Sequence, residues 1–126
     1  MKALIIDDDS GIRLALAHFL RMRGYQTYEA GDGAAGLITA KRELPDVVFL
    51  DQRLPDIMGE TLLPLLTAPE IGACAIMMTA YVELNEAVRA MKAGAEYFFP
   101  LSGLSHEPDG IKLHRFPDLY LQLEIP

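Results

Sequence analysis

Four short apolar runs divide the chain, and each stops at a polar or turn residue. Residues 3–6 (Ala-Leu-Ile-Ile) stop at Asp7-Asp8-Asp9, residues 47–50 (Val-Val-Phe-Leu) at Asp51, residues 73–78 at Thr79, and residues 97–99 at Pro100. Short runs without a polar member fit strands of a parallel sheet buried on both faces. Residues 25–30 alternate apolar with polar instead, as expected of an outer strand. Between these stretches the period becomes helical. Ser10 is placed to cap a helix carrying Ile12, Leu16, Phe19 and Leu20 on one face, with Gly24 ending it. Gly31-Asp32-Gly33 turns into a second helix that stops near Glu43, before Pro45 and Asp46. Residues 52–59, with Pro55 and Gly59, read as a loop. Residues 60–66 read as a short helix with Pro64 as its weak point, and residues 85–93 as a helix closed by Gly94.

Strand and helix alternate, which predicts an α/β fold: a doubly wound parallel sheet with helices on both faces. From Leu101 the pattern changes. Pro108, Gly110 and Pro117 exclude a long helix, while Leu119, Leu121, Leu123 and Ile125 alternate with Tyr120, Gln122 and Glu124. That is strand periodicity. The division expected is therefore a domain over residues 1–100 and an atypical tail over 101–126. The tail would extend the sheet beside residues 97–99 or pair with a second copy, giving a homodimer or an exchanged tail.

Composition narrows the function classes. A chain of 126 residues is one domain. With 51% hydrophobic and 23% charged residues it is neither disordered nor collagenous. Its net charge of −7 is opposite to that of a general nucleic-acid binder. Cys74 is alone, so an internal disulfide and a CxxC zinc site are excluded. No apolar run approaches a membrane span, and Met1-Lys2 opens no signal peptide, so a cytoplasmic protein is expected. His18 reads as a surface residue. His106 and His114 lack a third ligand for a metal claim.

The chemistry lies at the strand ends. In open α/β sheets ligands bind beyond the carboxyl ends of the strands. If the first and third strands, residues 3–6 and 47–50, are neighbours, Asp7, Asp8 and Asp51 converge there. Three such carboxylates repel, so either a pKa rises or a cation sits among them. Oxygen ligands completed by water suit Mg²⁺. Asp51 could then act as a nucleophile toward a phosphoryl group, with Thr79 donating its hydroxyl to a phosphoryl oxygen.

At these residues the chain resembles the receiver domain of two-component response regulators. The likeness rests on Leu4-Ile-Ile-Asp-Asp-Asp-Ser-Gly-Ile-Arg13, Val48-Phe-Leu-Asp-Gln-Arg-Leu-Pro-Asp-Ile-Met-Gly59, Met78-Thr-Ala-Tyr81 and Ala87-Val-Arg-Ala-Met-Lys-Ala-Gly-Ala95. It covers about residues 2–99 and is greatest to receivers of sigma-54-dependent activators. The resemblance implies a flavodoxin-like, five-stranded sheet in the order 2-1-3-4-5, and a phosphoacceptor signalling domain rather than an enzyme. It implies that a histidine kinase phosphorylates Asp51, with Mg²⁺ bound directly by Asp8 and Asp51, by Asp7 through water, and by the Arg53 backbone carbonyl. It further implies Thr79 as the switch hydroxyl and Ala80 as the small residue leaving room for the phosphoryl group. Phe98 would be the switch aromatic, with Tyr97 beside it. The output would be an effector domain or protein outside this chain, reached through the last helix-strand face. The family's phosphoryl-contacting lysine is missing: the position falls on Leu101 or Phe99, depending on alignment. The usual final helix is missing too.

Three other readings compete. A degenerate receiver would serve as a protein-binding or dimerisation module. Gly31-Asp-Gly-Ala-Ala-Gly36 matches a dinucleotide fingerprint, but it follows a strand too polar for the sheet centre. A phosphatase of the haloacid dehalogenase type would need an acid at position 53, which is Arg53.

Overall fold

The computed structural model describes residues 1–79 and 97–100. The elements are β1 (Lys2–Ile6), α1 (Ser10–Met22), β2 (Gln26–Ala30), α2 (Gly33–Glu43), β3 (Val47–Asp51), α3 (Gly59–Thr67), β4 (Cys74–Thr79) and β5 (Tyr97–Pro100). They form a five-stranded parallel sheet in the order β2-β1-β3-β4-β5, the order expected of a receiver. The expected helix at 85–93, Ala80 and the tail 101–126 lie outside the described residues.

Burial explains the apolar runs. Residues 3–6 of β1 and 47–50 of β3 are buried at every position, because helices cover both faces. Alternation splits them. Leu4, Ile6, Val48, Leu50, Ala75 and Met77 pack with Leu62, Leu63 and Leu66 of α3 and Ala40 of α2. Ala3, Ile5, Val47, Phe49, Ile76 and Met78 form the opposite face, with Leu16, Ala17 and Leu20 of α1. β2 is an edge strand with one buried residue, Ala30, which is why its sequence alternates.

One local expectation is corrected. Ser10 does not cap α1; Asp9 does. Asp9 is extended, and its carboxylate accepts from the N–H groups of Gly11 and Ile12 at 2.8 and 3.2 Å, which leaves Ser10 inside the first turn. α3 continues through Pro64, the expected weak point, as far as Thr67. Pro64 itself is exposed, with its ring on the solvent side of the helix. At the other end of α1 the chain reverses through Gly24, at φ 90°. Gly24 N–H donates to Arg21 and Tyr25 N–H to Leu20, a Schellman ending.

Candidate functional site

The three strand ends named by the sequence meet at one edge of the sheet. β1 and β3 are adjacent, with Ile6 in register with Leu50, so Asp7 and Asp51 follow side by side. Carboxylate oxygens of Asp7, Asp8 and Asp51 lie within 4.8 Å of one another. Asp51 is in register with Met78, which places Thr79 one residue further along β4. Thr79 in turn is in register with Pro100, and Met77 with Phe98. The backbones of both expected switch positions therefore lie on the two strands beside the acidic cluster.

Asp7 is held firmly. Its N–H donates to the Ala30 carbonyl, its Oδ1 accepts from Asp9 N–H at 2.9 Å, and its carbonyl accepts from the Arg13 guanidinium at 2.7 Å. Arg13 is itself anchored on Glu29 at 3.4 Å. Asp7 is 1% exposed, and its other oxygen, Oδ2, is buried with no hydrogen-bond donor among the described residues. A buried, unsatisfied carboxylate oxygen is costly unless something meets it. Asp8 is exposed and Asp51 half-buried, so the cluster opens to solvent on one side.

The electrostatics follow from this crowding. Burial pushes the Asp51 carboxyl up to about 7, with the charges of Asp7 and Asp8 adding to the effect. Burial also raises Asp7, against the hydrogen bond from Asp9. Without a cation the cluster thus still binds a proton in part at neutral pH. All-oxygen donors, a buried carboxylate oxygen and the raised carboxyls of Asp7 and Asp51 together fit a hard divalent cation. Among the described residues this is the group of acids so placed.

The β3–α3 loop carries features with no local sequence signal. Arg53 N–H donates to Asp51 Oδ1 at 3.3 Å, and Arg53 bridges Met58 across the turn. Asp56 reaches across to α2, accepting from the N–H groups of Gly33 and Ala34 at 2.8 and 2.9 Å. Those two bonds lower the Asp56 carboxyl. Asp32 takes the Ala35 N–H at 2.7 Å. The amides of the glycine-rich turn are thus already taken by the protein's own carboxylates, and Gly36 fits closely on Ile6. This gives that motif a structural role: a helix start pinned to the β3–α3 loop and seated on β1.

Gln52 was also not legible as special. It is 1% exposed, and neither Nε2 nor Oε1 has a partner among the described residues. Replacing the amide with an apolar group of equal length removes that penalty. Gln52→Met is expected to stabilise the protein by about 1–2 kcal/mol. A urea midpoint at or below that of the unaltered protein would contradict this.

Of the other expectations, His18 is exposed, Met77 and Met78 are fully buried core, and Cys74 is half-buried. No described helix is long and apolar enough to cross a membrane.

Comparison with known proteins adds to this geometry. Residues 3–100 match the response regulator receiver domain family. The chain is 36% identical over 94 residues to sporulation initiation phosphotransferase F of Bacillus subtilis, covering 75% of this chain and 76% of that protein. It is 34% identical to the regulatory protein AtoC of Escherichia coli, where the same share of this chain covers 20% of the relative. A response regulator protein from Burkholderia pseudomallei, solved with a phosphorylated aspartic acid, calcium ion and citrate, superposes with a TM-score of 0.75 at 28% identity. That match covers 79% of this chain and 59% of the other.

Proposed function

Because the chain belongs to the response regulator receiver domain family, we propose that it takes a phosphoryl group onto Asp51 from a histidine kinase and relays that state by a change of conformation. The observation that supports this most is the convergence of Asp7, Asp8 and Asp51 around a buried Asp7 oxygen with no donor among the described residues.

The roles follow from the chemistry. In the transfer an Asp51 oxygen attacks phosphorus as the bond to the kinase's imidazole nitrogen breaks, and that nitrogen keeps the electron pair and takes up a proton. Asp51 must be ionised to attack, and its raised carboxyl leaves only part of it in that form at neutral pH until a cation favours the charge. The carboxylates of Asp7, Asp8 and Asp51 and the Arg53 carbonyl would hold Mg²⁺, which supplies the positive charge that offsets both the carboxylates and the incoming phosphoryl oxygens. Arg53 N–H, already on Asp51 Oδ1, orients the nucleophile. Thr79 gives its hydroxyl to a phosphoryl oxygen, and Ala80 leaves room for the group. Phe98, on the strand paired with β4, follows Thr79 as the switch aromatic.

With no lysine at Phe99 or Leu101, Thr79 carries more of the difference between the two states. The receiver machinery occupies residues 1–100 and the tail 101–126. The protein works in the cytoplasm as a signalling domain whose only chemistry is its own phosphorylation and dephosphorylation. Its output is an effector domain or partner protein, consistent with relatives such as AtoC, of which the chain spans a fifth.

The test is intact mass after incubation with Mg²⁺ and a small phosphodonor such as acetyl phosphate, beside an Asp51→Asn control. The expected result is a single phosphoryl adduct that needs both Mg²⁺ and Asp51. An adduct that persists in the control, or no adduct together with no detectable Mg²⁺ binding, overturns the reading. The second outcome would leave a protein-binding module.

A further inference from the structure

We propose that Asp56 is a positioning residue for the cation: by clamping the β3–α3 loop to the start of α2, it fixes the direction of the Arg53 carbonyl. This rests on that carbonyl's place in the Mg²⁺ set proposed above. The Asp56 carboxylate joins two elements. Its Oδ1 accepts from Gly33 N–H at 2.8 Å and its Oδ2 from Ala34 N–H at 2.9 Å. A carboxylate spread over two N–H groups at a helix start is held against rotation as well as translation, and the helix dipole favours it. Ile57 adds a second point of contact. A Cβ at Gly33 would run into Ile57 Cγ2 and lie 3.2 Å from Asp56 Oδ1. Gly33 is buried, so the loop tip packs directly on the helix start.

Capping of α2 does not by itself account for this contact. α2 has a cap of its own in Asp32, whose carboxylate takes the Ala35 N–H at 2.7 Å and whose carbonyl takes the Gly36 N–H at 3.0 Å. A connection from β3 to α3 has no need of α2 either. What the clamp adds is a fixed outer end for the loop. The inner end is closed separately, by Gly59 N–H on the Gln52 carbonyl at 2.8 Å and by the bridge between Arg53 and Met58.

The clamp reaches the site through a short, stiff path. Only Leu54 and Pro55 lie between Arg53 and Asp56. Leu54 is buried in the cluster that includes α3, and the Pro55 ring locks its φ. A buried side chain at Leu54 fixes where the chain runs, but not how the peptide plane before it is turned. That plane carries the Arg53 carbonyl. On one side it is held by Arg53 N–H on Asp51 Oδ1, a long bond at 3.3 Å. On the other it is held by the two shorter bonds of Asp56, which makes the outer hold the firmer one. Groups that orient metal ligands from outside are worth about 10- to 100-fold in metal affinity. Asp56 acts through the loop rather than on the ligand itself, so the lower end of that range is expected.

The experiment compares Asp56→Ala with Asp32→Ala in the full chain. Each removes one acid and its hydrogen bonds from the start of α2, and only the first releases the loop. Calorimetry gives Mg²⁺ affinity, melting without metal gives stability, and adduct formation with acetyl phosphate is followed over a range of Mg²⁺ concentrations. Both variants are expected to melt lower than the unaltered chain. Asp56→Ala is expected to raise the Mg²⁺ dissociation constant, and the Mg²⁺ concentration giving half the maximal rate, by roughly tenfold, with the rate at saturating Mg²⁺ little changed. Asp32→Ala is expected to leave both constants near those of the unaltered chain. Equal shifts in the two variants would trace the effect to lost charge or a weakened helix start, and the positioning role fails. A lower saturating rate with Mg²⁺ affinity unchanged overturns it as well. An unaltered chain that binds no Mg²⁺ overturns the metal site and the clamp's role together, whereas a failure confined to the Asp56 variant leaves the metal site standing.

Discussion

Replacing Asp51 with asparagine is expected to stabilise the metal-free protein near neutral pH by about 1–2 kcal/mol and to abolish its stabilisation by Mg²⁺. Three carboxylates share one corner of the sheet, and Asp51 is pushed up from 3.8 to about 7. Between roughly pH 4 and 7 the folded protein keeps a proton that the unfolded chain has lost. Stability therefore falls as pH rises through that window and is lowest above it. A shift of that size corresponds to at most about 4 kcal/mol for a fully buried group. Asp51 is half-buried, and solvent screening brings the figure down to the expected range. Asparagine has no charge to develop, so the variant escapes the fall. It also removes one oxygen anion from the set that would hold the cation, so the Mg²⁺-dependent rise in melting temperature disappears with it. The check is thermal denaturation of both proteins at pH 5 and pH 8, with and without Mg²⁺. Equal melting curves at pH 8 without metal would show that the cluster is not strained.

Gly59→Ala is expected to cost about 2–3 kcal/mol and to slow phosphoryl uptake, although the residue carries no chemistry. A Cβ there would run into the backbone carbonyl oxygen of Asp51 and lie 3.0 Å from Gln52 Cα. Met77 Cε, also at 3.0 Å, is the end of a flexible side chain and can move; the two backbone atoms cannot. Gly59 N–H donates to the Gln52 carbonyl at 2.8 Å, so the start of α3 is tied to the segment it would collide with. The strain must be relieved by shifting either α3 or the end of β3, which carries Asp51. Gly24→Ala is the useful contrast. Gly24 has no atom within 4 Å of a new Cβ, and its φ of +90° makes the cost purely conformational, about 1–2 kcal/mol, with no effect on the site. Urea denaturation and the rate of adduct formation, measured on both variants, separate the two mechanisms. Gly59→Ala with unchanged stability would refute the argument.

The apolar runs, the alternating edge strand and the glycine and proline stops are local properties, and they were enough to predict the sheet and the order of its elements. The acids at the ends of β1 and β3 could be paired from sequence because a doubly wound sheet gathers its strand ends at one edge. Tertiary structure decided what depends on partners distant in sequence. Asp56 holds the start of α2 across 23 positions, and no spacing rule announces it. Asp9 rather than Ser10 caps α1 because of backbone geometry, since both residue types can cap. The buried amide of Gln52 and the buried oxygen of Asp7 appear only once the chain is packed, because burial is a property of the surroundings. Sequence therefore determined which residues could face the core or carry charge. Only the fold decided which of those charges crowd together, since repulsion and desolvation depend on distances that arise when β1 and β3, some 44 residues apart at Ala3 and Val47, lie side by side.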